Sequence, residues 1–591
     1  MLFKRLHKLF PTLIYLVCGL LLVMFFQSAT TLRLTDIHYG GVNQKLEKSN
    51  NFYYLEPIAN TVDYSMTANL NYLPFSQTNI NIDPDDCLIA LKVNNQDVLN
   101  SKMNQPICGS ERGYDLDLKP YLKIGSNQVM VSLHNEGGAL GLYWQNSLSD
   151  PINFILILLT LILIIAILSL LIMVIDSSPL ITIFLVIGGF ILRCIYLMYT
   201  RFNVREHDVP GHFQFVDYVQ THFRLPDINY CYQCHQKPLY YIISGIYLKI
   251  IGFFGFTNPF SSLQFLNLIL FMFMMIFGLV LLKKNLKNKL SFLSAGLILV
   301  FWPSGIIHSI RISNDILYYF FYILGLLFIN IWFRSKKNQF LIWGIIIALL
   351  GLLTKVNTIA LLCLILILVI YRNRFNFKHL VVYFVGFLIL MFLFLIPYVK
   401  QKQVSQTLLS RITRSDQIDG RLQVGNKPVN YLFFDLQTYM HEPFVSAWED
   451  RTGRQYFWNY LIKSSLFGEF SFNKEWSRDL AVVMSFVALL MIGFSSLSIF
   501  FVNKKNYRAV AFFGLSLLLL LTMFIFYRIR FPAACNTDFR YIFPSLISFA
   551  FIYGFAIEKA GEKNLILVRY FGLVLAICLS LLVNVFFFVN I

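Results

Sequence analysis

Residues 152–175 read INFILILLTLILIIAILSLLIMVI. The stretch carries no charge. At 1.5 Å per residue, a helix of that length reaches across the ~30 Å hydrocarbon core of a bilayer. Outward from it, apolar runs recur at about 11–29, 180–200, 239–256, 262–282, 291–310, 315–333, 340–353, 358–371, 379–397, 479–501, 509–527, 541–557 and 567–590. The chain has 591 residues and is 57% hydrophobic, 17% aromatic and 14% charged, too little polar surface for a soluble domain. These features predict an integral membrane protein that crosses the bilayer about a dozen times.

The formal net charge is +18. In a soluble chain that excess would suggest nucleic acid. Here Lys and Arg sit in short clusters between apolar runs, the mark of a cytoplasmic face, so nucleic-acid binding is set aside. The clusters at Lys283–Lys289, Arg334–Lys337, Arg372–Arg374 and Lys504–Lys505 are assigned inside. Counting every run as a crossing puts Lys283–Lys289 outside. The conflict disappears if 239–256, which follows Lys237-Pro238 and holds Tyr240, Tyr241, Tyr247 and Lys249, lies in the outer interface. About 13 transmembrane helices then remain. The first, behind Lys4, Arg5 and Lys8, reads as an uncleaved signal anchor with its charged end inside. Both 30–150 and the C-terminus fall outside.

Residues 30–150 are polar and alternate, as in Leu88–Val93 and Gln128–Leu133, with turns at Asp83–Asp86 and Gly137-Gly138. This predicts a small extracytoplasmic all-β domain of sandwich type. Cys87 and Cys108 lie in it on the oxidising side and either pair or remain buried thiols. The expected layout is an anchor at 1–29, the β domain at 30–150, a helical core at 151–397 with its first outer loop at 201–237, an outer loop region at 398–478, and C-terminal spans at 479–591.

The loop 201–237, RFNVREHDVPGHFQFVDYVQTHFRLPDINYCYQCHQK, is the densest in chemistry. Glu206-His207-Asp208 follows the end of a span. A carboxylate there is held by the span yet open to an aqueous cavity, which suits a general base; the plainer reading is a solvated capping acid. Cys231-x-x-Cys234-His235 admits a disulfide, a zinc site completed by His212 or His222, or two free thiols. Arg311, Asn314 and Asp315 at an outer helix end can hold a polar ligand or be ordinary interfacial polarity. Arg540 can pair bidentately with a phosphate or snorkel. Lys355 falls near the outer surface, between two short spans.

Taken in order, these pieces resemble the GT-C glycosyltransferases, polytopic enzymes that move a sugar from a polyprenyl-phosphate carrier to an acceptor. The likeness covers about residues 180–590. It rests on Glu206–His212 after the first core span, Gln236–Tyr241 opening the interfacial helix, the Pro303–Asp315 stretch, Leu466–Phe470, and Asp538–Pro544. It points to the bacterial protein-mannosyltransferase-like and RgtA/B/C/D-like group and, more distantly, to the aminoarabinose transferase of lipid A, whose Lys-Pro pair Lys237-Pro238 resembles. The β domain is an insertion relative to the shortest members.

The resemblance implies inverting transfer on the extracytoplasmic face of a bacterial cytoplasmic membrane. It implies Asp208 as base, with Glu206 the alternative, and Lys237, Arg540 and Lys355 at the donor phosphate. His207, His212, Tyr240, Tyr241, Asn314, Asp315 and Glu469 are the expected substrate contacts. The partners implied are a polyprenyl-phosphate sugar, a glycan, lipid or protein acceptor, and membrane lipids. A divalent metal assists some members; the sequence shows too few acidic ligands to assign one. A secondary transporter or lipid flippase is the main alternative, and an assembly subunit displaying the β domain the other. No internal repeat is visible, and the polar residues gather at outer span ends rather than mid-membrane.

Overall fold

The computed structural model describes residues 2–591 apart from 42–46, 50–54, 59–61, 100–105, 110–112, 137, 177, 254–257, 373–418 and 503–505. The run expected at 379–397 and the start of the loop region expected at 398–478 lie outside the described residues. The chain divides into two compact units. One comprises Met1–Ile175, Tyr199–Val204 and Lys249–Pro259, the other Asp176–Met198, Arg205–Leu248 and Phe260–Ile591.

The first unit holds the β region. In the strand Gly125–Asn135, Val129, Val131 and Leu133 turn inward, and alternate residues turn out. Its whole length pairs antiparallel with Val62–Tyr72, from Gly125 opposite Tyr72 to Asn135 opposite Val62. Its other edge pairs with Cys87–Val93 in a seven-stranded sheet. Asn79–Pro84, Tyr114–Asp117 and Leu142–Asn146 form a second, three-stranded sheet. Ile80, Ile82, Leu142 and Trp144 of this sheet share one buried core with Leu70, Leu91, Val129 and Val131 of the larger one. This is sandwich packing, and a period-two pattern produces it directly.

A disulfide joins Cys87 to Cys108. The helices Leu2–Thr30 and Pro151–Ile175 are tied to this region by polar side chains. Gln27 Nε2 donates to Asn153 Oδ1 at 2.6 Å and Gln77 Nε2 to Thr30 Oγ1 at 2.7 Å. Arg201 forms a buried ion pair with Asp83 and donates to Asn81 Oδ1 at 2.7 Å. Gly113, at φ 64°, leaves room for this guanidinium, which a Cβ there would strike.

The second unit is helical. Among the described residues of the whole chain, eight helices are long and apolar enough to cross a membrane. The pair Ala534–Ile542 and Ser545–Glu562, bent by 62°, raises this to as many as nine. Lys289–Phe301, Asn338–Leu352 and Val356–Arg372 are shorter apolar helices and match three further expected runs. The run expected at 291–310 is broken: Trp302 is extended, and Pro303 starts a separate turn of helix to His308. Proline removes a backbone donor and suits a first helical turn, so the chain restarts there.

Arg193, inside the helix Leu180–Tyr199, is fully buried at this break. It donates to Gly189 O at 3.0 Å and Val300 O at 2.8 Å, with its guanidinium 4.8 Å from the Phe271 ring centroid.

The unit has two chemically different ends. At one, Arg334 donates to Lys284 O. There too, Glu558 accepts from the backbone N–H groups of Lys287 and Asn288 at 2.7 and 3.1 Å, and Arg372 donates to Trp332 O at 3.0 Å. Three of the basic clusters read as cytoplasmic therefore meet at one end. The helix Asp315–Ser335 leads away from it over about 30 Å and begins at Asp315, beside Lys355. Tyr240, at the start of the helix Leu239–Phe253, accepts from Asn267, near the start of the helix Pro259–Asn285, at 3.1 Å. Both helices thus begin on the same side, the arrangement needed for 239–256 not to cross.

Candidate active site

Five stretches converge at the end that carries Asp315. The first follows the span Leu180–Tyr199. Arg205 and Asp208 adopt positive φ, 55° and 61°, and Asp208 precedes the helix Val209–His222 without a side-chain cap. Glu206 takes the capping position instead, its Oε2 accepting from Val209 N at 2.9 Å. The second stretch is 309–314. Asn267 Nδ2 donates to Arg311 O at 2.6 Å. The buried Arg311 guanidinium contacts His308 Nδ1 at 3.2 Å and stands 5.4 Å from the Phe470 ring centroid.

The third stretch is the turn between two short apolar helices, where Lys355 forms an ion pair with Asp315 and lies 4.8 Å from the Tyr541 ring centroid. The fourth follows the helix Phe457–Phe467. Gly468, at φ 65°, turns the chain so that Glu469 meets Tyr460 OH and His207. The fifth is the bend 531–544. There Asp538 Oδ1 accepts from Arg540 N at 3.0 Å, Asp538 Oδ2 lies 3.3 Å from Arg540 Nε, and Tyr319 OH donates to Arg540 O at 2.8 Å.

Burial raises the Glu206 pKa, against the hydrogen bond from Val209 and the charge of Arg311. Burial likewise raises Glu469. His207 is pushed well below the ordinary histidine value by burial and by Arg311 and Arg540, so it is neutral near pH 7. Burial lowers Lys355, with Asp315 opposing the shift. The cluster therefore sets a half-buried carboxylate with weakened acidity, Glu206, within the field of Arg311 and Arg540. Such a carboxylate accepts a proton more readily than a solvated one, while the cations suit an anionic group.

The residues anticipated from sequence divide into three sets. Glu206, His207, Asp315, Lys355, Glu469 and Arg540 come together. Asp208, expected as the base, is exposed. It acts on Glu206 as a neighbouring like charge. His212, Tyr240 and Tyr241 are buried, and their polar atoms are used inside the protein: His212 Nδ1 lies 2.7 Å from Tyr241 OH, and Tyr240 OH accepts from Asn267. The His212 and Tyr241 rings stack at 5.8 Å and join the helices Val209–His222 and Leu239–Phe253, while Tyr240 ties the second of these to Pro259–Asn285. Asn314 donates to Thr354 O at 3.2 Å and Gln236 Oε1 at 3.3 Å. The half-buried Lys237 follows Gln236, one link from Asp315.

Cys231 and Cys234 form a disulfide, which excludes the zinc and free-thiol readings of that motif. Arg311, offered by the sequence as a residue that can hold a polar ligand, is central here. Asp538 is central too, and the sequence marked it only as part of the Asp538–Pro544 stretch, with no role of its own. His207, Glu469 and Asp538 each offer one ligand-type atom, and the three atoms lie within 4.8 Å of one another.

Fold and cluster together define a polytopic membrane protein with a charged, mostly buried site at one end of its helical core. No family model and no curated protein matches the chain. Among solved structures it is similar to ArnT from Cupriavidus metallidurans in the apo state, at 12% identity and a TM-score of 0.33, over 64% of this chain and 77% of that one. It is also similar to arabinosyltransferase EmbB from Mycobacterium smegmatis, at 11% identity and a TM-score of 0.30, over 94% of this chain and 64% of that one.

Proposed function

We propose that the chain is a membrane glycosyltransferase that moves a sugar from a polyprenyl-phosphate donor to an acceptor hydroxyl on the extracytoplasmic face. The observation that carries this reading is the placing of Glu206 in one cluster with Arg311, Arg540 and Lys355. In the reaction an acceptor oxygen bonds to the anomeric carbon, and the bond from that carbon to the phosphate oxygen breaks. The electron pair leaves with polyprenyl phosphate. The hydroxyl proton passes to Glu206. Charge grows on the leaving phosphate, and guanidinium and ammonium groups already in place stabilise it without reorganising. A single displacement inverts the configuration. Asp208, next but one to Glu206, raises its pKa and so favours the protonated product state of the base.

The basic clusters at the opposite end support an extracytoplasmic site, since such clusters stay in the cytoplasm. Lys237 is assigned to the donor phosphate on the sequence resemblance together with its place beside the Gln236–Asn314 link. The test is purified protein in detergent, with no second compartment, given a panel of polyprenyl-phosphate sugars and envelope acceptors. Transfer by the wild type and its loss in Glu206→Gln is the expected result. Substrate movement in vesicles without a new glycosidic bond would overturn it in favour of a transporter.

A further inference from the structure

We propose that His207, Glu469 and Asp538 form a divalent-cation site. The three come from distant parts of the sequence, and the fold brings one imidazole nitrogen and two carboxylate oxygens to within 4.8 Å of one another. Metal–ligand bonds of about 2.0–2.2 Å place tetrahedral ligands about 3.4 Å apart and opposite octahedral ligands about 4.2 Å apart, so closing the widest separation asks for a movement of about 0.6–1.4 Å. One imidazole and two carboxylates suit Mn²⁺ or Zn²⁺. Three protein ligands leave coordination positions open.

Two of the three atoms are buried without a hydrogen-bond partner: Asp538 Oδ2 and His207 Nε2. Asp538 is fully buried. Its Oδ2 has only the ionic approach of Arg540 Nε, while His207 Nε2 lies 3.1 Å from Glu469 Oε2. Two acceptor atoms facing each other at that distance gain little unless a proton or a cation stands between them. The remaining atoms of the ligands are held. Glu469 Oε1 accepts from Tyr460 OH, Asp538 Oδ1 accepts from Arg540 N, and the His207 ring stacks on Phe470 at 4.9 Å. Such supporting contacts orient ligands before the ion arrives.

Charge favours an ion as well. The cluster holds four carboxylates, Glu206, Asp315, Glu469 and Asp538, against Arg311, Lys355 and Arg540. Lys355 and Arg540 each have a carboxylate of their own. Glu469 has no lysine or arginine within ion-pair distance among the described residues; its partners are a histidine and a tyrosine. A dication there, followed by a phosphate from the donor, keeps the buried charge close to balance. The cation would add Lewis-acid stabilisation of the departing phosphate; that role rests on the transfer reading above, and its binding does not.

The test uses full-length protein in detergent, stripped with EDTA, desalted and titrated with MnCl₂ without any sugar donor, free Mn²⁺ being read by electron paramagnetic resonance. We expect one Mn²⁺ per chain. Glu469→Gln, Asp538→Asn and His207→Gln each weaken binding by at least about 100-fold. Tyr460→Phe, which removes only the hydroxyl on Glu469, weakens it by about 10–100-fold. Asp208→Asn, at an exposed acid in the same loop, binds as the wild type does. Size exclusion and thermal unfolding confirm that each variant is folded, and His207→Ala serves if His207→Gln is not. No saturable binding of Mn²⁺ by the wild type, or binding unchanged in the three ligand variants, overturns the site. Binding that is lost in the three ligand variants while transfer persists in EDTA keeps the site, rejects the Lewis-acid role and leaves the glycosyltransferase reading standing. Stoichiometric Mn²⁺ in a protein that transfers no sugar retains the site and removes that reading.

Discussion

His207 Nε2 lies 3.1 Å from Glu469 Oε2, although the two residues flank most of the helical core in sequence. The approach sets the loop after one span beside the turn before another, and Glu206, next to His207, lies in the field of Arg311.

The first prediction separates the two acids. Glu206→Gln keeps the shape and the cap on Val209 while removing the proton acceptor, and it lowers turnover by about 10²–10⁴-fold. Asp208→Asn keeps more than about a tenth of the wild-type rate. Single-turnover kinetics with bound donor measures both. The reverse ranking would make Asp208 the base.

The same carboxylate sets a pH limb. The base works deprotonated, and burial raises its pKa. The acidic limb of the kcat profile should therefore lie above the ~4.3 of an ordinary glutamate, with rate rising as pH rises through it. A limb at or below that value contradicts the assignment.

The cations act on the donor. A charged hydrogen bond contributes about 1.5–3 kcal/mol, so Arg311→Met should weaken donor affinity by about 10–100-fold. Arg311→Lys should recover part of that, since it restores the charge and loses the forked geometry. Calorimetric titration with a non-hydrolysable polyprenyl phosphonate reads both. Equal affinity in Arg311→Met and wild type removes Arg311 from the phosphate site.

A buried lysine gives a stability test outside the site. Lys463 is fully buried, donates to Thr438 O at 3.2 Å and Thr452 O at 2.8 Å, and burial lowers its pKa to about 8. Between pH 8 and about 10.5 the unfolded chain binds a proton there that the folded chain does not. Stability from this group therefore rises with pH across that window, by up to about 3 kcal/mol. Thermal unfolding in detergent should show the wild type gaining on Lys463→Met from pH 8 to 10. A constant gap sinks the prediction.

Orientation is checked with single cysteines. Trp476 is exposed just after Glu469, and Lys284 is exposed at the basic end. A membrane-impermeant maleimide added to intact cells should label Trp476→Cys and spare Lys284→Cys until the cells are opened. Labelling of Lys284→Cys from outside inverts the topology.

Much of this architecture was legible because its signals are local. Uncharged runs mark the spans, and alternation along Gln128–Leu133 marks a strand with one buried face. The loop 201–237 was visibly crowded with acids and histidines. Which acid turns inward was not legible, because it depends on the left-handed backbone at Arg205 and Asp208 and on the cap that Glu206 makes. Tyr240, Tyr241 and His212 look like ligand contacts in a motif, but burial has committed their polar atoms to one another and to Asn267. The pairing of His207 with Glu469, and of both with Asp538, depends on helix packing across the whole core, and no window of sequence carries it.

Arg193 bears on how the protein is made. An arginine at mid-helix costs about 2.5–3.5 kcal/mol to insert, and the carbonyl that receives it, Val300 O, belongs to a residue 107 positions later. At a synthesis rate of 5–20 residues per second, that partner emerges roughly 5–20 s after the arginine. The span Leu180–Tyr199 must be held during that interval by the insertion machinery or lie with its guanidinium snorkelled toward a lipid headgroup. Its final seat opens only once Phe301, Trp302 and Pro303 have formed the break in the later helix, so assembly of this core follows docking order and not the order of translation.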